Sequence, residues 1–218
     1  GLADYCRKSG IKQIVLGLSG GIDSAVAACV ACAAVEPDNV LGIAMPSRFS
    51  SQHSLDDAKY TAEALGMEFK IQPIDEMHSA LEGQIDEVLD NGNPVASENI
   101  QSRLRGIIVM AHANAQSRMA IATGNKSELA QGYCTLYGDM AGGYTPLGDL
   151  YKMQVYALAE IFNQRAKQNG LQPPVNQSTL TKPPSAELAP DQKDEDSLPP
   201  YQVCLLYTSD AADEIVRV

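Results

Sequence analysis

Gly17-Leu18-Ser19-Gly20-Gly21-Ile22-Asp23-Ser24 is the stretch whose reading decides the fold. Ahead of it, Ile11-Lys12-Gln13-Ile14-Val15-Leu16 is a short apolar run that reads as a buried strand. After it, the run from Ala25 to Ala34 is dominated by good helix formers, with Val and Cys among them, and reads as a helix. The glycines therefore lie at a strand-to-helix turn. Free N–H groups at that helix start, backed by the helix dipole, form an anion site. Gly20 and Gly21 let a phosphate approach the backbone closely, and Ser19 and Ser24 add hydroxyl donors. Asp23 is the odd member. A carboxylate repels a phosphate unless a divalent cation bridges the two. The stretch has no lysine, so it is not the G-x-x-x-x-G-K-[ST] loop, and it lacks the G-x-G-x-x-G spacing.

Working outward, the chain alternates apolar runs with helical patterns. Gly1 to Gly10 reads as the end of a helix stopped by Gly10. A turn centred on Pro37 leads to a second strand, Val40 to Met45, and then to a polar loop, Pro46 to Ser51. Ser54 to Leu65 reads as a helix capped by Ser54 and stopped by Gly66. Glu68 to Ile71 is a third strand. Ile74 to Leu89 reads as one helix with Ile74, Met77, Leu81, Ile85 and Val88 at spacings of three and four, and Asn99 to Ser117 as a long helix with Ile100, Leu104, Ile107, Ile108 and Ala111 inward; the apolar faces of both can serve either a core or a subunit interface. Met119 to Ala122 is a fourth strand running into Thr123-Gly124-Asn125-Lys126-Ser127-Glu128. This succession predicts an α/β fold: a doubly wound parallel sheet with helices on both faces. Right-handed crossovers give the order 3-2-1-4, which places the ends of strands one and four side by side at the switch point. There, Thr123 can hydrogen-bond a nucleotide and Glu128 can offer a second carboxylate to the cation held by Asp23. Tyr133 to Gly148 reads as an active-site loop, Asp149 as the cap of a helix from Leu150 to Asn169, and the proline-rich Leu171 to Pro200 as a mobile or partner-ordered segment.

The composition is that of an ordinary globular protein, 44% hydrophobic and 20% charged. Sixteen Lys+Arg against 27 Asp+Glu give a net charge of −11, which disfavours nonspecific nucleic-acid binding. No apolar run is long enough to span a bilayer, and Gly1 to Gly10 does not read as a signal peptide. Cys29 and Cys32 form C-x-x-C inside a predicted helix, which favours two small core residues over a redox or zinc motif. Reduced thiols fit a cytoplasmic setting.

The S-G-G-x-D-S hexapeptide resembles the pyrophosphate loop of the N-type ATP pyrophosphatases, whose fold is of the adenine-nucleotide alpha-hydrolase type. Further segments narrow the resemblance. Met45-Pro46-Ser47-Arg48, Glu98 to Arg105, Ala122 to Glu128, Tyr137-Gly138-Asp139-Met140 and Lys182 to Leu188 are similar to the synthetase domain of NAD synthetases, with loop wording nearest the glutamine-dependent bacterial type. The resemblance implies a ligase that adenylates deamido-NAD with ATP and Mg2+, then lets ammonia displace AMP to give NAD. It implies ATP contacts at Gly17, Leu18, Ser19, Gly20, Gly21, Ile22, Asp23, Ser24, Thr123, Lys152 and Ser185, with Asp23, Lys152 and Ser185 serving catalysis. It implies Mg2+ ligands at Asp23 and Glu128. For deamido-NAD it implies Asn99, Arg103, Glu128, Tyr133 and Leu136, some of them acting across a homodimer interface. Arg48 ranks lower as a phosphate or ribose contact. Its family also implies an N-terminal glutaminase domain in the full-length protein, and neither nucleic-acid nor membrane partners.

The resemblance covers about Gly1 to Val203, a synthetase domain expected to be truncated at both ends. The string from Cys204 to Val218 departs from the family and reads as non-native read-through, an expectation that an intact genomic copy of the same tail would overturn. Two alternatives stay open: another N-type ATP pyrophosphatase with a different acceptor, and a non-catalytic nucleotide-binding module. The paired carboxylates Asp23 and Glu128 distinguish an enzyme from the latter.

Overall fold

The computed structural model describes residues 1–90, 92–190, 192–196, 198 and 201. The expected read-through tail, 204–218, lies outside the described residues. Each expected strand forms in one parallel sheet: β1, Ile14–Gly17; β2, Val40–Ala44; β3, Glu68–Ile71; and β4, Met119–Ala120. Their order is β3-β2-β1-β4, as the crossover argument requires. Ile14 stands beside Val40 on one side and Met119 on the other. The first strand starts three residues later than expected, at Ile14.

β1, β2 and β4 are buried on both faces, whereas the edge strand β3 carries Glu68 and Lys70 and is largely exposed. Ile14, Leu16, Val40 and Ala44 face one layer. That layer is built by α1, Leu2–Ser9; α2, Ile22–Val35; α3, Gln52–Leu65; and α8, Lys152–Gln168. Val15, Leu41 and Ile43 face the other. There they pack on Ile108, Val109 and Ala113 of α6, Val95–Gln116, and on Ile74, just ahead of α4, Asp75–Gln84. Cys29 and Cys32 are buried in α2 as free thiols, and burial pushes Cys32 up to about 12. They are core residues, as their helical setting predicted.

Several local expectations need correction. The cap of α3 is Ser51, whose side chain accepts from Ser54 N, one turn ahead of the expected start. Ile74 to Leu89 is not one helix. It breaks at Ile85 into α4 and the short α5, Asp86–Leu89, and Met77, Leu81 and Val88 are exposed. Ile107 and Ala111 likewise face outward, Ile107 at 61% exposure. The 3.6-residue period identified real stripes, but a stripe does not say what covers it. Asp149 does not cap α8. Tyr151 takes that place, its N–H donating to Gln154 Oε1 at 2.8 Å. The Leu171–Pro200 segment is not featureless. It carries α9, Gln177–Thr181, and Asn163 pins it through a two-way hydrogen bond with Val175.

Candidate active site

A cavity of about 710 Å³ opens at the carboxyl end of the sheet, between β1 and β4. Its floor is the Gly17–Ser24 loop. Gly20 has φ 83, and a Cβ there would lie 2.0 Å from the Ser54 carbonyl oxygen, so only glycine fits between α2 and α3. The serines fix the loop from within. Ser19 N donates to Ser24 Oγ, Gly21 N donates to Ser19 Oγ, and Ser24 Oγ donates to the Gly21 carbonyl.

Asp23 stands in the first turn of α2. In the loop after the neighbouring strand β4, Asn125 caps α7, Lys126–Gln131, in a reciprocal box: its Oδ1 accepts from Glu128 N, and Glu128 Oε2 accepts from Asn125 N. Asn125 Nδ2 also donates to Asp23 Oδ1 at 2.8 Å. The same asparagine thus sets both carboxylates. Between them lies the ammonium of Lys152, 2.5 Å from Asp23 Oδ2 and 3.2 Å from Glu128 Oε1. Lys152 begins α8, is 2% exposed, and its backbone N–H donates to Ser127 Oγ. Burial alone would lower its pKa, but the two carboxylates override that and hold it above the usual lysine value. Burial and the nearby Asp23 charge raise Glu128 to about 7, against the opposing pull of Lys152. A lysine at a helix start opposes the dipole, and here two protein anions supply the compensation.

Gly17, Leu18, Ser19, Gly21, Ile22, Asp23, Ser24, Thr123, Glu128, Lys152 and Ser185 all line this cavity. Gly20 is tucked behind it, its carbonyl accepting from Thr179 Oγ1. Asn99 and Tyr133 line it too, with Asn99 Oδ1 accepting from Thr135 Oγ1 at 2.8 Å. Arg103 and Leu136 do not. They pair on the outer surface, where Arg103 Nε donates to the Leu136 carbonyl. Arg48 is also absent from the cavity. Its guanidinium is engaged by Glu82, Asp75 and Ser79. Ser185 is at the mouth with its hydroxyl committed to its own turn: it donates to the Gln192 carbonyl and accepts from Glu187 N.

Sequence reading missed several residues that line or support the cavity. Asn125 was legible, because N-x-x-E ahead of a helix is a capping-box signature. Lys182, Arg105, Asp139 and Asp194 gave weaker signals. Lys182 reaches Ser54 Oγ and buried Asp57 from across the fold. Burial pushes Arg105 down to about 10, with the Glu187 and Asp75 carboxylates opposing. Burial raises Asp139 above the usual carboxylate range. Asp194 is buried against Tyr201, whose hydroxyl donates to Asp194 Oδ2 at 2.7 Å.

A family model described as NAD synthase matches residues 1–215. The chain is 50% identical over 208 residues to a glutamine-dependent NAD(+) synthetase of Rhodobacter capsulatus, covering 93% of this chain and 38% of that protein. It is 45% identical over 223 residues to the Aquifex aeolicus protein of the same name, covering 99% and 38%. It therefore spans well under half the length of these curated relatives. Among solved structures it is similar to the Acinetobacter baumannii glutamine-dependent NAD+ synthetase in complex with ADP, with TM-score 0.79, 35% identity and coverage of 86% and 35%. It is also similar to the NMN synthetase of Francisella tularensis, with TM-score 0.82, 32% identity and coverage of 96% and 82%.

Proposed function

The chain belongs to the NAD synthase family, and from that membership we propose that it carries out the ATP-dependent amidation of deamido-NAD to NAD. The observation that carries the reading is the meeting of Asp23, Glu128 and Lys152 beside an anion-binding helix start. A carboxylate acceptor is a poor acyl donor until it bears a leaving group. In the first step a carboxylate oxygen of the nicotinate attacks the α-phosphorus of ATP, and the bond to the β-phosphate oxygen breaks, releasing pyrophosphate. In the second, ammonia attacks the acyl carbon, AMP leaves with the former carboxylate oxygen, and the nitrogen sheds a proton. The N–H groups and serine hydroxyls of Gly17 to Ser24 are suited to holding the pyrophosphate portion. Lys152 supplies fixed positive charge beside the transferring group.

Two carboxylates converging on one cationic centre are the donor set Mg2+ takes when phosphates and water complete its sphere. Asp23 and Glu128 would hold it, and it would supply neutralisation of the phosphate charge. An adenine nucleotide as co-substrate is supported by the ADP bound to the similar A. baumannii enzyme. Thr123 and Ser185 are proposed as further nucleotide contacts, and Asn99 and Tyr133 as deamido-NAD contacts from within the cavity. Arg103 and Leu136, on the outer surface, are assigned to the cavity of a second copy. The exposure of Ile107, Met77 and Leu81 supports such a homo-oligomer. The uncovered length of the relatives supports a glutaminase domain elsewhere in the full-length protein as the ammonia source. No described helix is long and apolar enough to cross a membrane, and we assign the reaction to the cytoplasm.

The test is pyrophosphate and AMP release with ATP, magnesium and ammonium. Its arms are deamido-NAD, nicotinate mononucleotide and no acceptor, on the native chain and on Asp23→Asn. Release that depends on deamido-NAD and falls at least about 100-fold in Asp23→Asn is the expected result. Release only with the mononucleotide would reassign the acceptor to the kind the F. tularensis name indicates.

A further inference from the structure

We propose that Glu187 is a positioning residue: its carboxylate fastens the 182–188 strap to the start of α3 and thereby sets Ser185 at the mouth of the cavity. Glu187 Oε1 accepts from Ser54 Oγ at 2.5 Å and from Ser51 Oγ at 3.1 Å, and its Oε2 accepts from Ser51 N at 3.3 Å. Ser51 is the cap of α3, so the carboxylate sits on the positive end of that helix. Lys182 Nζ donates to the same Ser54 Oγ at 3.0 Å, so the first and sixth residues of the strap share one anchor.

The other margin of the strap is tied to the opposite layer of the sheet. Gln101, fully buried in α6, donates to the Leu188 carbonyl at 2.9 Å, and Gln192 donates to Glu98 at 3.3 Å. The strap therefore bridges the cleft between α3 and α6, directly above the phosphate loop. Its bend is at Glu187, whose φ of 50 is a conformation that side chains other than Gly and Asn rarely adopt. That bend brings Glu187 N to 3.1 Å from Ser185 Oγ, so one turn holds the fastening carboxylate and the hydroxyl together. All three carboxylate bonds go to α3 and none to the Gly17–Ser24 loop. Nucleotide and fastening use different groups.

This role rests on the proposed amidation reaction, and the experiment keeps the two separable. Hydrogen exchange of the 183–190 amides is measured together with kcat and KM for ATP, on the native chain, on Glu187→Asn and on the double variant Ser51→Ala/Ser54→Ala. Asn tolerates the bend but is too short and uncharged, so a mere turn-forming role predicts no change. The fastening role predicts exchange at least about tenfold faster and kcat at least about tenfold lower, with KM for ATP changed less than about threefold. It also predicts that adding Glu187→Asn to the serine double variant costs less than about twofold more, because all three residues serve one contact. Unchanged exchange and kcat in Glu187→Asn would overturn it. A lower KM for ATP with kcat retained would also overturn it, by identifying the carboxylate as a competitor of the phosphates. If the native chain releases no pyrophosphate, the amidation reading fails, and the exchange rates alone decide whether Glu187 holds the strap.

Discussion

The phosphate loop and the strap face each other across one cavity, both carry local and distant bonds, and the balance between the two kinds differs. In the loop, Ser19, Gly21 and Ser24 bond to one another over two to five residues of sequence. In the strap, Lys182, Glu187 and Leu188 bond to partners 87 to 136 residues away. A loop fixed by its own neighbours is rigid before ligand arrives. A strap fixed by distant side chains depends on the rest of the fold, and removing one partner releases it. The contrast assigns preorganised anion binding to the floor and adjustable enclosure to the roof.

The largest expected effect lies on the floor. Replacing Lys152 with Met leaves Asp23 and Glu128 facing each other, buried and without their shared cation. Removing one partner of such a buried cluster costs about 3–5 kcal/mol, read by urea denaturation. A loss under about 1 kcal/mol would mean that the cluster is open to water. Next is Gly20→Ala. A side chain at φ 83, driven into the Ser54 carbonyl, is expected to cost on the order of 1–3 kcal/mol or more in the same assay, and to weaken nucleotide binding with it.

Acidity gives a third, smaller effect. Glu128 is raised to about 7 from an ordinary value near 4.5, so the folded chain holds a proton that the unfolded chain has released. Its contribution to stability is present below pH 4.5 and is lost as pH rises through 7. Cation binding runs the other way, because the ionised carboxylate is the ligand. The magnesium-dependent part of ATP binding should strengthen about tenfold between pH 6 and pH 8 and then level off. Titration calorimetry on Glu128→Gln should show that rise flattened, and an unchanged rise would assign it to another group.

The smallest effect belongs to the strap. Gln101→Met removes the donor to Leu188 but also removes a buried Oε1 that has no partner among the described residues. The two changes oppose, and stability should shift by less than about 1 kcal/mol, while exchange of the strap amides quickens. A larger loss would show that the roof is as rigidly built as the floor.

The same contrast explains what could be read from the chain without its structure. The strand order, the glycine turn and the meeting of Asp23 with Glu128 follow from local signals plus the handedness of crossovers, and the sheet bears out the first of these. A lysine at a helix start, such as Lys152, calls for an anion, but its partners lie 24 and 129 residues away and were not legible. From the sequence alone, Asp57 is only an acid near the start of a predicted helix. It is a buried acceptor for Asn176 and Ser178 at the start of α9 and for Lys182 of the strap, partners 119 to 125 residues away. Arg48 lies at a strand end, and its partners Asp75 and Glu82 on α4 were not legible from the strand alone. The stripe of Met77, Leu81 and Ile107 is exposed in this chain, and helical periodicity alone does not distinguish a core-facing stripe from one that meets another chain.

The measurement that tests the account most directly follows oxygen. Deamido-NAD labelled with 18O in its nicotinate carboxylate is incubated with the chain, ATP, magnesium and ammonium, and the AMP is weighed by mass spectrometry. Attack of that carboxylate on the α-phosphorus within the Asp23–Glu128–Lys152 site predicts one labelled oxygen in each AMP formed. AMP released without label would contradict adenylation of the acceptor.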